Sequence, residues 1–451
     1  MNNKFEVEKI HTTLEKLVSK EKKSLISGPF GSNIGKKFFK TEGIPLIRGN
    51  NLSIGFNKFK DDGFVFVTKE KADELNCYAI KNDLVFTAVG TIGQVGIIDE
   101  KLKYDEYVIS NKQLRVRLDT SIVEPLFAYY WFNSYWIQKL ILQRNVGSTV
   151  PLINLSVLKG LPISMPQSLS YQNKVVDILE NIYNKIEVNN KINKELEVMA
   201  KTLYDYWFVQ FDFPDENGKP YKSSGGKMVY NKELKREIPE GWEVKEINKL
   251  IEVKDGTHDS PKSIAEGHKL ITSKHLKTEG LDFKNANSIS DEDYLNINKR
   301  SKVDTGDILF SMIGNIGTVY KVDEENIDFA IKNVALFKTS ESQNLKNFIY
   351  MYLIGYDMQC YMANVISGSI QKFIGLGSLR QIPLIYNEEV ILNFNQITLP
   401  IFNQINNLKL ENQKLAELRD WLLPMLMNGQ VSVGEAEERL SMVAEERGKY
   451  N

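Results

Sequence analysis

NDLVFTAVGTIGQV (Asn82–Val95) and GDILFSMIGNIGTV (Gly306–Val319) are one phrase written twice. Each is an apolar run that reads as a strand and ends on a Gly-x-x-Gly turn. The match extends outward in both directions. Downstream, GSTVPLINLSVLKGLPI (Gly147–Ile163) pairs with GSIQKFIGLGSLRQIPL (Gly368–Leu384). Upstream, Leu46, Ile47 and Leu52 pair with Leu270, Ile271 and Leu276, and FEVEKI (Phe5–Ile10) pairs with WEVKEI (Trp242–Ile247). The order is the same in both copies, and the period of roughly 220 residues is too long for a solenoid. The chain therefore holds a duplicated domain, and two copies predict a pseudo-two-fold arrangement.

Each copy opens with about 150 residues of mixed strand and turn signals and closes with a long polar-apolar stretch. Heptad positions in the first stretch hold Ile178, Ile182, Lys185, Asn189, Ile192, Leu196, Met199 and Leu203. In the second they hold Ile397, Ile401, Gln404, Leu408, Glu411, Leu415, Leu418 and Leu422. A 4,3 spacing of this kind is a coiled-coil seam with polar register markers. Two amphipathic helices buried separately would share the composition, but a common seam at the end of each copy favours pairing. The expected fold is α/β (α+β): two similar domains separated by two long antiparallel coiled-coil helices with pseudo-two-fold symmetry. The boundaries are 1–166 for the first domain, 167–210 for its helix, 211–240 for a turn-rich linker, 241–386 for the second domain, 387–430 for its helix, and 431–451 for an acidic tail.

Composition narrows the class. Apolar residues at 42% and charged residues at 25% suit a globular protein. No apolar run approaches a membrane span, and the N-terminus lacks the apolar core of a secretory signal. Only Cys77 and Cys360 occur, which points to a reducing, cytoplasmic setting. The net charge of −1 conceals an asymmetry: residues 1–165 carry 23 basic and 17 acidic side chains, residues 241–386 carry 17 and 19. Any nucleic-acid footprint must come from local placement of charge.

No catalytic constellation is legible. GSNIGKK (Gly31–Lys37) has three residues between its glycines where a phosphate loop needs four, and Lys37 stands where Ser or Thr should follow the Lys. Neither Asn-Pro-Pro-Phe nor Asp-Pro-Pro-Tyr, the signatures of adenine methylation, occurs. Pro214-Asp215 and Glu243-Val244-Lys245 mimic a nuclease pattern only across the repeat boundary. His258, His268 and His275 share a segment but have no helical spacing and no nearby Cys, so no metal site is expected.

Several phrases resemble the specificity subunits of type I restriction-modification systems. They are the FDFPDENGKPYKSSGGKMV linker followed by EIPEGWEV, DGTHDSPK (Asp255–Lys262), the Gly-x-Ile-Gly loops, and the LRDWLLPMLMNGQ ending (Leu418–Gln430). Copy one lacks the Ile-Pro-x-Gly-Trp opening present at Ile238–Trp242, which leaves its N-terminal edge open. The resemblance implies two target recognition domains on a helical ruler. It implies a bipartite double-stranded DNA site, two methyltransferase subunits docked on the helices, and restriction subunits in some assemblies. It implies no catalytic residue and no cofactor on this chain, with S-adenosylmethionine, ATP and magnesium held by the partners.

Major-groove reading takes fork-like polar side chains on loops. In copy one the candidates are Arg48, Asn50 and Asn51, then Thr91 and Gln94, then Asn111, Lys112 and Gln113. In copy two they are Thr257, His258 and Asp259, then Ser273, Lys274 and His275, then Asn315 and Thr318, then Lys332 and Asn333. Backbone near Ser148 and Thr149, and near Ser369 with Lys372 beside it, is a candidate for phosphate contact. Each of these is equally a solvated loop residue. A two-headed scaffold that binds protein instead of DNA is the alternative, and the near-zero net charge is its support.

Overall fold

A computed structural model of the chain describes residues 8–55, 57–99, 101–277, 280–368, 372–427 and 429–446. The chain forms two compact units. One combines the residues up to Asn189 with those from Leu410; the other is Asn190–Lys409.

The first unit contains strands β1 (Lys9–Thr13), β2 (Leu25–Ser27), β3 (Ile44–Ile47), β4 (Val65–Val67), β5 (Tyr78–Ile80), β6 (Leu84–Thr87), β7 (Val95–Ile97), β8 (Glu106–Ile109), β9 (Gln113–Val116) and β10 (Pro162–Pro166). Its helices are α1 (Lys69–Leu75), α2 (Pro125–Asn133), α3 (Tyr135–Gln143), α4 (Leu155–Lys159) and the first part of α5 (Leu169–Tyr204). One sheet has the antiparallel order β2-β9-β6-β7; the other has the order β4-β3-β8-β5, with β3 parallel to β8. β1 pairs with β10. Phe86, Val95, Leu114 and Val116 of the first sheet bury against Phe127, Tyr130 and Phe132 of α2. Leu46, Ile47, Val67, Val108 and Ile109 form the core of the second sheet. Pro125, at the first turn of α2, has the fixed φ that suits a helix start, and Thr68 caps α1 by accepting from Lys71 N at 3.2 Å.

The second unit contains β11 (Met228–Asn231), β12 (Arg236–Pro239), β13 (Glu243–Glu246), β14 (Val253–Asp255), β15 (His268–Thr272), β16 (Leu276–Lys277), β17 (Gly280–Leu281), β18 (Asn287–Ile289), β19 (Ile308–Ser311), β20 (Val319–Lys321), β21 (Phe329–Lys332), β22 (Val334–Phe337) and β23 (Pro383–Tyr386). Its helices are α6 (Asp291–Ser301), α7 (Gln343–Ile354), α8 (Tyr356–Val365), α9 (Leu376–Arg380) and the first part of α10 (Glu388–Met427). The topology repeats that of the first unit. The order β14-β22-β19-β20 matches β2-β9-β6-β7, and β18-β15-β21, again with a parallel central pair, matches β4-β3-β8. Among the described residues β5 of the first unit has no matching strand, and neither have β11, β12, β16 and β17 of the second.

A buried carboxylate stands at the same place in each copy. Asp83, fully buried, accepts from Arg117 Nε and Nη2 at 2.9 Å each and from Ile80 N at 2.9 Å. Asp307, fully buried, pairs with Lys338 Nζ at 2.7 Å and accepts from Asp304 N at 2.8 Å. Each pins the start of its Gly-x-x-Gly strand to the end of the neighbouring strand.

The long helices are antiparallel. In the first unit Asn189 of α5 meets Glu411 of α10; fifteen residues further along α5, in the second unit, Tyr204 meets Phe394, which precedes Glu411. Apolar packing joins Ile178, Leu179 and Ile182 to Leu415, Leu422 and Leu426. Three polar heptad positions meet: Asn189 Nδ2 donates to Glu411 Oε2 at 3.0 Å and to neighbouring Asn412 Oδ1 at 2.9 Å, and Lys185 Nζ lies 3.6 Å from Glu411 Oε1.

Three sequence expectations need correction. Ile192, Met199 and Ile397 are 41%, 56% and 48% exposed, outside the seam. Beyond Asn189 the buried stripe of α5 runs through Asn193, Ala200 and Tyr204, as a 3.6-residue helix drifts away from a strict 3.5 repeat. The 211–240 segment is more than a linker: Phe211, Phe213 and Ile238 are buried in the second core, and β11 and β12 form a hairpin. The matched openings shift in register, because Leu14 N bonds Leu161 O while Ile247 N bonds Ile382 O. Leu14, not Ile10, is therefore the counterpart of Ile247; Phe5–Val7 lie outside the described residues. The acidic tail forms α11 (Val433–Glu446), opened by a capping box in which Ser432 and Glu435 exchange backbone bonds.

Removing the buried carboxylate tests this architecture. Asp83→Ala strips buried Arg115 and half-buried Arg117 of their nearest carboxylate and should cost about 3–5 kcal/mol, whereas Asp307→Ala leaves Lys338 its second carboxylate, Asp304, at 2.7 Å and should cost less. Denaturant unfolding of each variant measures it, and a destabilisation below about 1 kcal/mol would contradict the role assigned here.

Candidate nucleic-acid interface

In both units the candidate loops gather at corresponding strand ends. The strand that runs antiparallel to β9 or β22 finishes on a glycine wedged against the chain. At Gly28 a Cβ would lie 1.8 Å from Ser110 O; at Gly256 it would lie 2.3 Å from Ile331 O. No side chain fits at either position. Gly28 N bonds Gln113 O and Gly256 N bonds Val334 O, each at 2.9 Å. These bonds align Asn111 with Lys332, Lys112 with Asn333, and Gln113 with Val334.

In the first unit, Gly49–Asn51 form a 3-10 turn after β3, with Arg48 as its N-cap. Asn51 is fully buried: its Oδ1 accepts from Arg48 N at 3.0 Å, and its Nδ2 donates to Lys60 O at 3.0 Å and Asp62 O at 2.9 Å. Gln113 is fully buried as well; its amide bonds Ile47 O and Gly49 N, both at 3.2 Å. Gln94 accepts from Thr87 Oγ1 at 2.8 Å and donates to Leu52 O at 2.9 Å. These three amides hold the turn in place; Asn51 and Gln113 are fully buried, and Gln94 is half-buried. Arg48 is half-buried, with Nη2 on Gly63 O at 3.3 Å, while Asn50, Asn111 and Lys112 are exposed.

Thr91 sits on the Gly-x-x-Gly turn, which bonds the following loop through Gly90 N to Pro151 O at 2.9 Å. Exposed Ser148 and Thr149 lie on that loop, shaped by Asn145, whose Oδ1 accepts from Gly147 N and Leu152 N. The second unit repeats the pattern. Exposed Asn315 and half-buried Thr318 share a turn, Thr318 donating to Asn315 O at 3.0 Å, and Ile374 N bonds Met312 O at 3.0 Å beside exposed Lys372. Ser369 lies outside the described residues.

The remaining second-unit candidates form one patch. His258 Nδ1 lies 2.8 Å from Asn333 Oδ1 and its Nε2 2.9 Å from Asp255 Oδ2. Thr257 N bonds Ile331 O, and Thr257 Oγ1 accepts from Asp259 N at 3.1 Å. Ser273 Oγ donates to Asn333 O at 3.0 Å, and Lys332 Nζ bonds Ser260 Oγ. Lys274 and Asp259 are exposed. Arg300 completes the patch, donating to Asp255 Oδ1 at 3.0 Å and Gly256 O at 2.8 Å. Sequence reasoning missed Arg300 because it lies on α6, outside every repeated phrase. His275 is the counterpart of Asn51: it is buried, and its Nδ1 accepts from Thr272 N at 3.1 Å. Like Asn51, it caps its turn.

Among the described residues no group of three His, Cys, Asp or Glu is placed to hold a metal ion. No described helix is long and apolar enough to cross a membrane. Cys77 and Cys360 are free thiols, and burial pushes the Cys77 thiol up to about 11.

Residues 19–198 and again 239–420 match the type I restriction modification DNA specificity domain. The type I restriction enzyme MjaIX specificity subunit of Methanocaldococcus jannaschii is 27% identical over 363 residues, 79% of either chain. The HindI specificity subunit of Haemophilus influenzae is 23% identical over 412 residues, 78% of this chain and 87% of that one. The crystal structure of a type I restriction-modification S subunit from M. genitalium superposes with a TM-score of 0.52 at 15% identity, covering 94% of this chain and 98% of the other. The chain belongs to the type I restriction-modification specificity family. It is the DNA-target-recognition subunit of such a system, a non-catalytic part of the enzyme.

The cap at His275 has a pH signature. Burial, and after it the Lys274 ammonium, holds the imidazole below its ordinary range. The unfolded chain protonates this ring near pH 6.5 while the folded chain keeps it neutral, so the stability it contributes is complete above about pH 6.5 and declines on acidification. His275→Asn, which copies Asn51, should retain the cap and lose this dependence. Thermal unfolding at about pH 7.5 and 5.5 measures it; an identical acid-induced drop in both proteins would exclude the titration.

Proposed function

We propose that this chain reads a bipartite double-stranded DNA site, one half-site with each unit, and positions two methyltransferase subunits over an adenine in each half. The recognition domains are 1–166 and 241–386. S-adenosylmethionine, ATP and magnesium belong to the partner subunits, restriction subunits join where the system has them, and the complex works in the cytoplasm. One observation carries this reading: the same loops recur at the same strand ends in both units, while the side chains they expose differ. Asn50 stands where Lys274 stands, and Asn111 where Lys332 stands. Equal frames with unequal polar groups suit two different half-sites.

Of the candidate readers, Arg48, Asn50, Asn111 and Lys112 on the first unit, and Lys274, Asn315, Lys332 and Asn333 on the second, have exposed or half-exposed polar groups to offer a base edge, whereas both nitrogens of the exposed His258 are engaged by Asn333 and Asp255. Thr91, Ser148 and Thr149 on the first unit, and Thr318 and Lys372 on the second, border the phosphate path. Thr257, Asp259 and Ser273 shape the loop beneath His258 and Asn333. Asn51, Gln94, Gln113 and His275 act by holding the turns.

Methylome sequencing of cells carrying the complex tests the reading. A gapped motif with one methylated adenine in each half is expected, and an ungapped motif or no sequence preference would refute it. Adding one heptad to each long helix at facing positions lengthens the pair by about 10 Å, or roughly three base pairs of rise. The gap should then change while both half-sites persist. Neutralising exposed Lys36 and Lys37 should weaken binding to every sequence. The slope of log affinity against log salt should flatten by about one for each phosphate left without its lysine. Binding indifferent to salt would favour the protein-binding scaffold.

A further inference from the structure

We infer that Phe30 is an apolar base reader of the first unit, placed to contact the C5-methyl group of a thymine in the major groove. The inference rests on the bipartite DNA reading above.

Phe30 is 84% exposed. A single exposed apolar residue is ordinary on a protein surface; its place in the frame is what distinguishes this one. It stands two residues after Gly28, the glycine wedged against Ser110 O, as His258 stands two residues after Gly256. Counted from that glycine, Phe30 takes the place in the first unit that His258 takes in the second. Its support is stiff. Gly28 is bonded to Gln113 O, Pro29 has a fixed φ, and a 3-10 turn follows at Gly31–Asn33, with Asn33 N bonded back to Phe30 O at 2.9 Å. A ring held out on such a base loses little freedom on binding.

The surroundings are those of a reading surface. A Cβ at Gly31 would lie 3.2 Å from Asn111 Nδ2, so the exposed Asn111 amide lies against the residue that follows Phe30, and Lys112 follows it. Lys36 and Lys37 lie on the next turn. An amide donor and an apolar surface side by side match an A·T pair, whose major-groove edge offers hydrogen-bonding groups on adenine and a methyl group on thymine. His258 differs: both its nitrogens are polar and engaged with Asn333 and Asp255. The two heads thus place an apolar and a polar group at one equivalent point, where their half-sites should diverge.

Deoxyuridine differs from thymidine only by the missing methyl group, which makes the test sharp. The full chain, co-expressed with its methyltransferase subunits, is titrated by anisotropy with a duplex carrying the mapped site, each thymine replaced in turn. One replacement should weaken wild-type binding about fourfold, the worth of one buried methyl group. Phe30→Ala should lose a similar factor on the thymine duplex and be indifferent to that replacement, while Phe30→Leu should retain part of the discrimination. Unfolding midpoints of the variants should equal that of the wild type. If no replacement separates wild type from Phe30→Ala, the inference fails while the bipartite reading stands. Equal loss by Phe30→Ala on thymine and uracil duplexes would make the ring a wedge and overturn the methyl contact. A wild-type complex with no preference for the gapped site would sink the bipartite reading and this inference with it.

Discussion

The buried carboxylates at Asp83 and Asp307 set the frame for the rest of the molecule. A carboxylate removed from water must be paired and fully bonded, which leaves the chain around it few alternatives. Asp83 ties the start of β6 to the arginine just beyond β9 and to its own turn; Asp307 does the same for β19 and β22 with a lysine. Once those strands are in register, their far ends are fixed too. There the Gly-x-x-Gly turns meet the loops before α4 and α9, and Gly28 and Gly256 close against the neighbouring strand. Recognition loops vary without shifting because a salt bridge at the opposite end of the sheet holds them.

The helix pair imposes a second constraint. Leu, Ile and Phe side chains supply the adhesion, but apolar packing alone tolerates sliding by a turn. Asn189, Glu411 and Asn412 bond only in one alignment, and Lys185 adds charge to the same point. Buried polar groups of this kind specify register at some cost in stability. In helices that join two recognition domains, register is the property that matters.

Much of this was legible in the sequence, for definable reasons. The repeat exposed the duplicated topology because strand and turn patterns survive insertion. The heptads exposed the helix pair, and three of their polar members, Lys185, Asn189 and Glu411, meet. Legibility ended where the partner of a side chain decides its role. Asn50 and Asn51 are identical and adjacent, yet one faces solvent and the other caps its own turn. Gln113 looks like a reader until its alignment with Val334 reveals a core-facing strand position. Phe30 is not a polar fork, the usual mark of a base reader, and only the structure aligns it with His258. Arg300 lies on a helix that carries no repeated phrase.

The first unit is assembled from two stretches of chain, the residues up to Asn189 and those from Leu410. Leu415, Leu422, Leu423, Leu426, Met427 and Ala436 complete the same core that Leu14 and Leu17 begin. Asn190–Lys409, by contrast, is continuous. During synthesis the N-terminal sheets emerge early, but their apolar flank stays uncovered until the stretch from Leu410 follows, while Asn190–Lys409 can close upon itself first. The usual order, N-terminal domain before C-terminal, is inverted. A nascent chain halted before Leu410 holds a finished second head and an open first one, so only a completed subunit presents both.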